Sequence, residues 1–226
     1  MLGKKLALIV VVLAIAFMPL SAGAQLNPRT KPTRVGPVTY DGDTYQGRPC
    51  KDGKFRTQGT SGRVTSEWTF CVFFHRYSAA QDNSSTRDFG AIWLATRVNP
   101  TNRWCVGRAI SQLGVQTSGS GNVIKRAPQG KGRTVDRSRE VQTRLVVDAG
   151  GSGTTEGVIK KNWTLYKGEL AIRKYKRNGF TNLRLTYDGN TRRNVAFAQA
   201  FEMSWPQGGA PPSIFPELRV RHDRCS

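Results

Sequence analysis

The chain has 226 residues, of which 38% are hydrophobic, and it carries 35 Lys and Arg against 15 Asp and Glu, a formal net charge of +20. That length is enough to bury a core, which excludes a small scaffold held together by disulfides alone. The charge favours polyanions as partners: acidic polysaccharides, anionic lipid surfaces or nucleic acid. The alternative is a charge that only keeps the protein soluble.

The first residues have the pattern of a secretory leader. Two lysines form a short basic head, an apolar run follows at 6–20, and small residues at 21–24 predict cleavage after position 24. The run contains Pro19 and is shorter than the ~20 apolar residues that a bilayer-spanning helix needs. We therefore predict a signal peptide at 1–24, with a membrane anchor as the alternative. Loss of the two lysines with it would lower the net charge from +20 to +18.

The mature chain is expected to be secreted, periplasmic or held at the cell surface. Residues 25–34 are polar, basic and interrupted by proline, which predicts a flexible segment before a single domain at 35–226. Four cysteines in an exported chain predict two disulfides, and three pairings are possible. We favour Cys50–Cys71, which ties an N-terminal turn region to a central strand, and Cys105–Cys225, which fixes the last strand.

The rest of the sequence has the pattern of β-strands separated by turns. The predicted strands lie at 65–77, 89–98, 104–115, 141–148, 157–166, 170–177, 181–187, 195–205 and 218–222. Asn178-Gly179 between two strand-like runs predicts a type I′ hairpin, and Asp188-Gly189-Asn190 predicts a second turn. The number and spacing of these strands predict an all-β fold, a disulfide-stapled, single-domain β-sandwich resembling a jelly roll, with little helix.

The predicted strand at 195–205 has one large and one small face. The large side chains are Val195, Phe197, Phe201, Met203 and Trp205, and the small ones are Ala196, Ala198, Ala200 and Ser204. This pattern suits a two-sheet sandwich, in which the small face lies under a close-packed neighbour or lines a shallow groove.

The first candidate anion-binding site lies in a stretch rich in Gly, Ser, Lys and Arg at 117–139, which is predicted to be a long, solvated loop because like charges do not pack in a core. Its candidate ligands are Lys125, Arg126, Lys131 and Arg133. Glycines between the last two would let backbone N–H groups and cations face one phosphate or sulfate. The alternative is a surface loop that merely tolerates charge.

The second candidate site is the hairpin at 170–187. Arg173, Tyr175 and Arg177 alternate onto one face of its first strand, and Arg184 comes from the partner strand. Cations interleaved with an aromatic ring can hold a polyanion while stacking a sugar or base. The alternative is an edge hairpin whose charges prevent aggregation.

Catalysis has little support in the sequence. There is no GxSxG nucleophile motif, and all four cysteines are expected in disulfides. Glu67 and Glu202 could form the acid/base pair of a glycosidase, and His75 could move a proton in a polysaccharide lyase. The alternative is that these carboxylates only balance nearby arginines. No metal site or cofactor is predicted, because CxxC pairs are missing and only His75 and His222 could supply imidazoles.

These patterns leave three functional hypotheses. The first is a non-catalytic protein that binds an anionic polymer or surface: a cell-wall glycopolymer, an acidic polysaccharide or a lipid headgroup. The second is a secreted jelly-roll polysaccharide lyase or glycoside hydrolase. The third is a secreted toxin or effector that acts at a membrane. Nucleic acid is the less expected polyanion outside the cell, and the mature chain is expected to lack a transmembrane segment.

Overall fold

A computed structural model of the chain describes residues 50–57, 62–76, 84–101, 103–117, 119–147 and 157–225. The predicted signal peptide, the flexible segment at 25–34 and the start of the predicted domain lie outside these residues. Within the described ranges the secondary structure is β-strand without helix. These ranges accordingly hold no helix of the length and apolarity that crossing a membrane requires.

The described residues form twelve strands. They are β1 Cys50–Arg56, β2 Val64–Arg76, β3 Arg87–Pro100, β4 Trp104–Gln116, β5 Asn122–Ala127, β6 Gly132–Val135, β7 Arg139–Val147, β8 Gly157–Leu165, β9 Gly168–Arg177, β10 Phe180–Thr191, β11 Val195–Pro206 and β12 Ser213–Arg224. The first sheet has the order β1-β2-β3-β11-β5, and the second sheet has the order β12-β4-β10-β9-β6. Strands β7 and β8 pair only with each other in this topology, and we call them the arm. The predicted all-β sandwich is confirmed.

The core lies between the two sheets and follows from alternation along the strands. Phe70 and Phe74 of β2 and Phe197 and Trp205 of β11 point inward from the first sheet, and Leu185 is among the side chains that meet them from the second. Burying each such side chain stabilises the fold by about 1.5–3 kcal/mol.

A polar seam crosses this apolar core. The Gln199 amide Nε2 of β11 donates to the main-chain oxygen of Ser111 on β4 at 2.7 Å. The Thr96 hydroxyl of β3 donates to the Ser111 hydroxyl at 3.1 Å. All three residues are buried, so the two sheets are joined by hydrogen bonds as well as by apolar contact.

Both favoured disulfides are confirmed. Cys50–Cys71 joins directly opposed residues of β1 and β2, and Cys105–Cys225 joins β4 to the residue after β12. The predicted turn region around Cys50 is instead strand β1. It escaped sequence analysis because it is a mostly exposed edge strand in which only Phe55 is buried.

The prediction of a long loop at 117–139 is wrong. Strand β5 pairs with β11, and strand β6 pairs with β9. Both strands lie at sheet edges, where charged side chains can reach solvent while the backbone stays hydrogen-bonded to the neighbouring strand. A cluster of like charges therefore does not exclude an edge strand.

Two strand limits also differ from prediction. The last strand begins at Ser213 and not at Leu218, because β12 is an edge strand that tolerates Pro216. Strand β10 continues past the predicted turn at 188–190 to Thr191, with a shift in its pairing to β4. The Asn178-Gly179 turn is confirmed, with φ angles of +51° and +77°.

The arm covers part of the outer face of the first sheet. Leu145 of β7 packs with Ala91 of β3, Ala127 of β5 and Ala200 of β11. The Thr143 hydroxyl donates to the main-chain oxygen of Ala198 at 2.8 Å. The small face of β11 therefore lies under a close-packed neighbour, one of the two arrangements that its alternation predicted.

The arm is also a continuation of the edge of the second sheet. Val135 of β6 is paired with Gly168 of β9, and Arg139 of β7 is paired with Leu165 of β8. Only three residues on one side and two on the other separate these pairs, so residues 132–147 and 157–171 follow one two-stranded ribbon with a bend. Gly168 lies at the bend with a φ angle of +149°. A Cβ atom there would lie 2.5 Å from the main-chain oxygen of Asp188, which is too close for a residue other than glycine.

Candidate anion-binding groove

A groove of about 310 Å³ opens on the outer face of the second sheet. Strands β4, β9, β10 and β12 each contribute to its lining. Its described lining residues include three cations (Arg177, Arg184, Arg219), three aromatic rings (Tyr175, Phe180, Phe215) and the amides of Gln112, Asn178 and Asn182. The strand register explains the shared face, because Arg184 lies opposite both Arg173 and Gln112, and Asn182 lies opposite Tyr175.

Arg184 is the centre of a hydrogen-bond network in this groove. Its Nε and Nη2 atoms donate to Gln112 Oε1 at 3.1 and 2.9 Å, and Nη2 also donates to the Tyr175 hydroxyl at 2.7 Å. The Tyr175 hydroxyl donates in turn to the same Gln112 oxygen at 2.7 Å, and the guanidinium carbon is 5.0 Å from the Tyr175 ring centroid. These partners are neutral, so they fix the guanidinium without cancelling its charge.

The remaining groove residues supply an ion pair, amides and rings. Arg219 donates from Nη2 to Glu217 at 2.5 Å, which offsets one of the three positive charges. The Phe180 and Phe215 rings meet edge to face with centroids 4.3 Å apart. The arrangement therefore combines a net positive charge, neutral hydrogen-bonding groups and apolar ring surface in one small volume.

The residues of the predicted hairpin site share this face. Arg173 and Arg177 are exposed, and Tyr175 and Arg184 are half-buried. Sequence analysis missed Gln112, Phe215 and Arg219, because they depend on the order of strands in the sheet. It also missed Phe180, although the register of the hairpin places Phe180 opposite Arg177. The sequence did contain a signal that could have identified Gln112. It is a polar residue in the mainly apolar strand β4, which indicates that one face of this strand reaches solvent.

The other predicted basic cluster lies elsewhere. Lys125 is half-buried, and its Nζ lies 3.6 Å from Glu202 Oε2. Arg126 lies opposite the core residue Phe201. Lys131 and Arg133 are exposed, but Arg133 lies opposite the core-facing Leu170 and therefore on the other side of the second sheet from Arg173. The two basic clusters do not share a face.

The predicted carboxylate pair is not assembled. Glu67 lies opposite Asn99 and Glu202 opposite Ala91, which separates the two carboxylates by eight residues along β3, or about 26 Å. A glycosidase pair is about 5–10 Å apart. Glu67 is exposed and lies 3.6 Å from Lys54, whereas Glu202 is buried beside Lys125.

For His75, the histidine expected in a lyase, the structure describes the backbone alone. His75 pairs with Ala91, and its side chain lies outside the described residues. The described ranges also contain no group of three or more His, Cys, Asp or Glu that could hold a metal ion. The geometry therefore offers more for binding an anion than for acid–base chemistry.

Comparison with known proteins adds one distant structural likeness. No protein-family model and no curated protein matches the chain. A solved structure that resembles it is the NetB toxin of Clostridium perfringens in its membrane-inserted form, with 8% identity and a TM-score of 0.36. The match covers 76% of this chain and 84% of the toxin chain.

Proposed function

We propose that the protein binds an acidic polysaccharide, without catalysis, in the groove on the outer face of the second sheet. The observation that carries the proposal is the Arg184–Tyr175–Gln112 network, which holds an uncancelled guanidinium beside an aromatic ring and an amide. The overall net charge of +20 would attract such a polymer at long range.

The groove chemistry matches the parts of an acidic sugar. A uronate or sulfate group can accept paired hydrogen bonds from a guanidinium, which suits Arg177. The Nε and Nη2 hydrogens of Arg184 are taken by Gln112 and Tyr175, so Arg184 offers an acidic group its positive charge and its Nη1 atom. Sugar hydroxyls can bond to the exposed amide of Asn178, and the apolar face of a pyranose can lie on the rings of Phe180 or Phe215. A bare phosphate surface would use the cations alone, which is why a polysaccharide fits better than a lipid headgroup.

Arg184→Ala is expected to weaken binding of heparin-derived oligosaccharide about tenfold or more, because it removes one positive charge from the groove and the hydrogen bonds that hold Gln112 and Tyr175 in place. The dissociation constant should be measured by titration at ~150 mM salt, where distant surface charges are screened. Arg144→Ala is the matched control, because Arg144 is exposed on the arm and lies on another element. Its affinity should stay close to that of the parent.

Three further readings in the same experiment decide the class of function. Release of reducing or unsaturated sugar ends would replace binding with enzyme activity. Tighter binding to nucleic acid or to anionic vesicles than to the oligosaccharide would assign the groove to another polyanion. An equal loss of affinity in Arg184→Ala and Arg144→Ala would mean that only total charge matters, and it would contradict a specific binding site in the groove.

A second candidate function is action at a membrane, and the arm is the observation that favours it. The exposed positions Gln142, Arg144, Lys160 and Asn162 are polar, whereas Val141, Leu145, Trp163 and Leu165 are buried against the sandwich. Such alternation suits a hairpin that moves its apolar face from protein to lipid. The bend at 136–138 and 166–167 would let the arm straighten in line with β6 and β9.

Joining Leu145→Cys to Ala200→Cys is expected to hold the arm on the first sheet, since both residues pack in one cluster. If the arm acts at membranes, the parent should release dye from anionic vesicles, and the oxidised double variant should not. Mild reduction should restore release, and Leu145→Cys alone should behave like the parent under both conditions. Unchanged dye release by the oxidised variant, or none by the parent, would contradict this second candidate.

A further inference from the structure

Two more hollows continue from the groove around the end of the sandwich. The second hollow, of about 390 Å³, shares Arg177 and Asn178 with the groove. The third hollow, of about 420 Å³, shares Gly121 and Asn122 with the second. Shared lining residues mean that the three hollows adjoin one another and form a path, which we call the track.

The track carries positive charge along its length. Arg184 and Arg219 line its first part, Arg177 lies where the first two hollows meet, and Lys176 lines the second. Arg87 lines the third, where its Nη1 donates to the Ser204 hydroxyl at 2.9 Å and to the Ser120 oxygen at 3.3 Å. Among the described lining residues the carboxylate is Glu217, which is bonded to Arg219.

We propose that the track binds a linear acidic polysaccharide over several sugar units, passing from the outer face of the second sheet around the β9–β10 turn to the outer face of the first. This inference rests on the proposed function, because it extends the same groove. A repeated cation along a path matches a polymer with one acidic group per repeat, whereas a single sugar would need only the groove. The Asn178-Gly179 turn lies between the first two hollows and forms the ridge over which the polymer bends.

The test uses a size series of heparin-derived oligosaccharides, from disaccharide to dodecasaccharide, titrated into the full mature chain. Affinity should rise with length until the track is filled and then level off. Lys176→Glu should weaken the dodecasaccharide about tenfold and leave the disaccharide unchanged, because only the longer ligand reaches the second hollow. Lys51→Glu, an equal change at an exposed position of β1, is the matched control and should affect neither length strongly.

The outcomes separate the track from the groove. If the disaccharide binds as tightly as the dodecasaccharide and Lys176→Glu behaves like Lys51→Glu, the track is wrong and the groove alone is the site. If no length binds to the parent protein, the proposed function fails and the track fails with it. A loss of affinity in Lys176→Glu that is confined to the long oligosaccharides supports both the groove and the track.

Discussion

Replacing Cys105 and Cys225 together by alanine is expected to lower the free energy of unfolding by about 5 kcal/mol. These cysteines are 120 residues apart in sequence, so the disulfide removes a large loop-closure entropy from the unfolded chain. It also holds the end of β12, an edge strand whose only sheet neighbour among the described strands is β4. A loss of this size is a large part of the 5–15 kcal/mol by which domains are usually stable, so the variant should be marginal at room temperature.

The second disulfide provides the matched comparison. Cys50 and Cys71 are 21 residues apart, and their joint replacement by alanine should cost about 3 kcal/mol on the same basis. Urea unfolding of the parent and both double variants, followed by tryptophan fluorescence, measures the two losses. A larger loss for the Cys50–Cys71 pair would show that native packing and not loop entropy decides what each disulfide contributes.

Acidification is expected to remove about 3 kcal/mol of stability through His222 alone, since each unit of pKa shift is worth about 1.4 kcal/mol. Burial lowers the pKa of His222 to about 4 from 6.5, against a smaller opposing effect of the Asp223 carboxylate. The Nε2 atom is 2.8 Å from the Ser66 hydroxyl, and Nδ1 is buried without a hydrogen-bond partner among the described residues. The fold therefore holds the neutral ring.

The direction of the pH effect follows from proton binding. Between pH 6.5 and about 4 the unfolded chain carries a proton on this ring and the folded protein does not, so stability falls as the pH is lowered through that window. His222→Gln keeps a hydrogen-bonding group towards Ser66 but does not titrate. The gap in unfolding free energy between parent and variant, measured from about pH 7 to pH 4, should change by about 3 kcal/mol in favour of the variant. A constant gap would show that folding does not lower the pKa of His222.

Local pattern predicted the sandwich well because alternation and turns act over short stretches. The Asn178-Gly179 turn and the large and small faces of β11 are of this kind. The edge strands β1, β5 and β6 were missed because their sequences are polar, and what makes them strands is hydrogen bonding to a neighbour. Propensity is a weak guide where a partner strand supplies the stabilisation.

The groove could be predicted only in part. Arg173, Tyr175, Arg177 and Arg184 lie on adjacent strands joined by a tight turn, so their shared face followed from the hairpin itself. Gln112 and Phe215 come from strands far away in sequence, and the order β12-β4-β10-β9 cannot be derived from spacing. The same limit explains Glu67 and Glu202, which lie in strands separated by β3 and far apart along it.

The Gln199 amide fixes the alignment of the first sheet relative to the second. Apolar side chains would tolerate a shift of one sheet over the other by a pair of residues, because Leu, Val and Phe can exchange partners at modest cost. The same shift would separate the Gln199 amide from the Ser111 oxygen and leave both groups buried without partners, a penalty of about 1–3 kcal/mol for each. One polar side chain in the core thus selects among packings that the apolar residues alone would leave nearly degenerate.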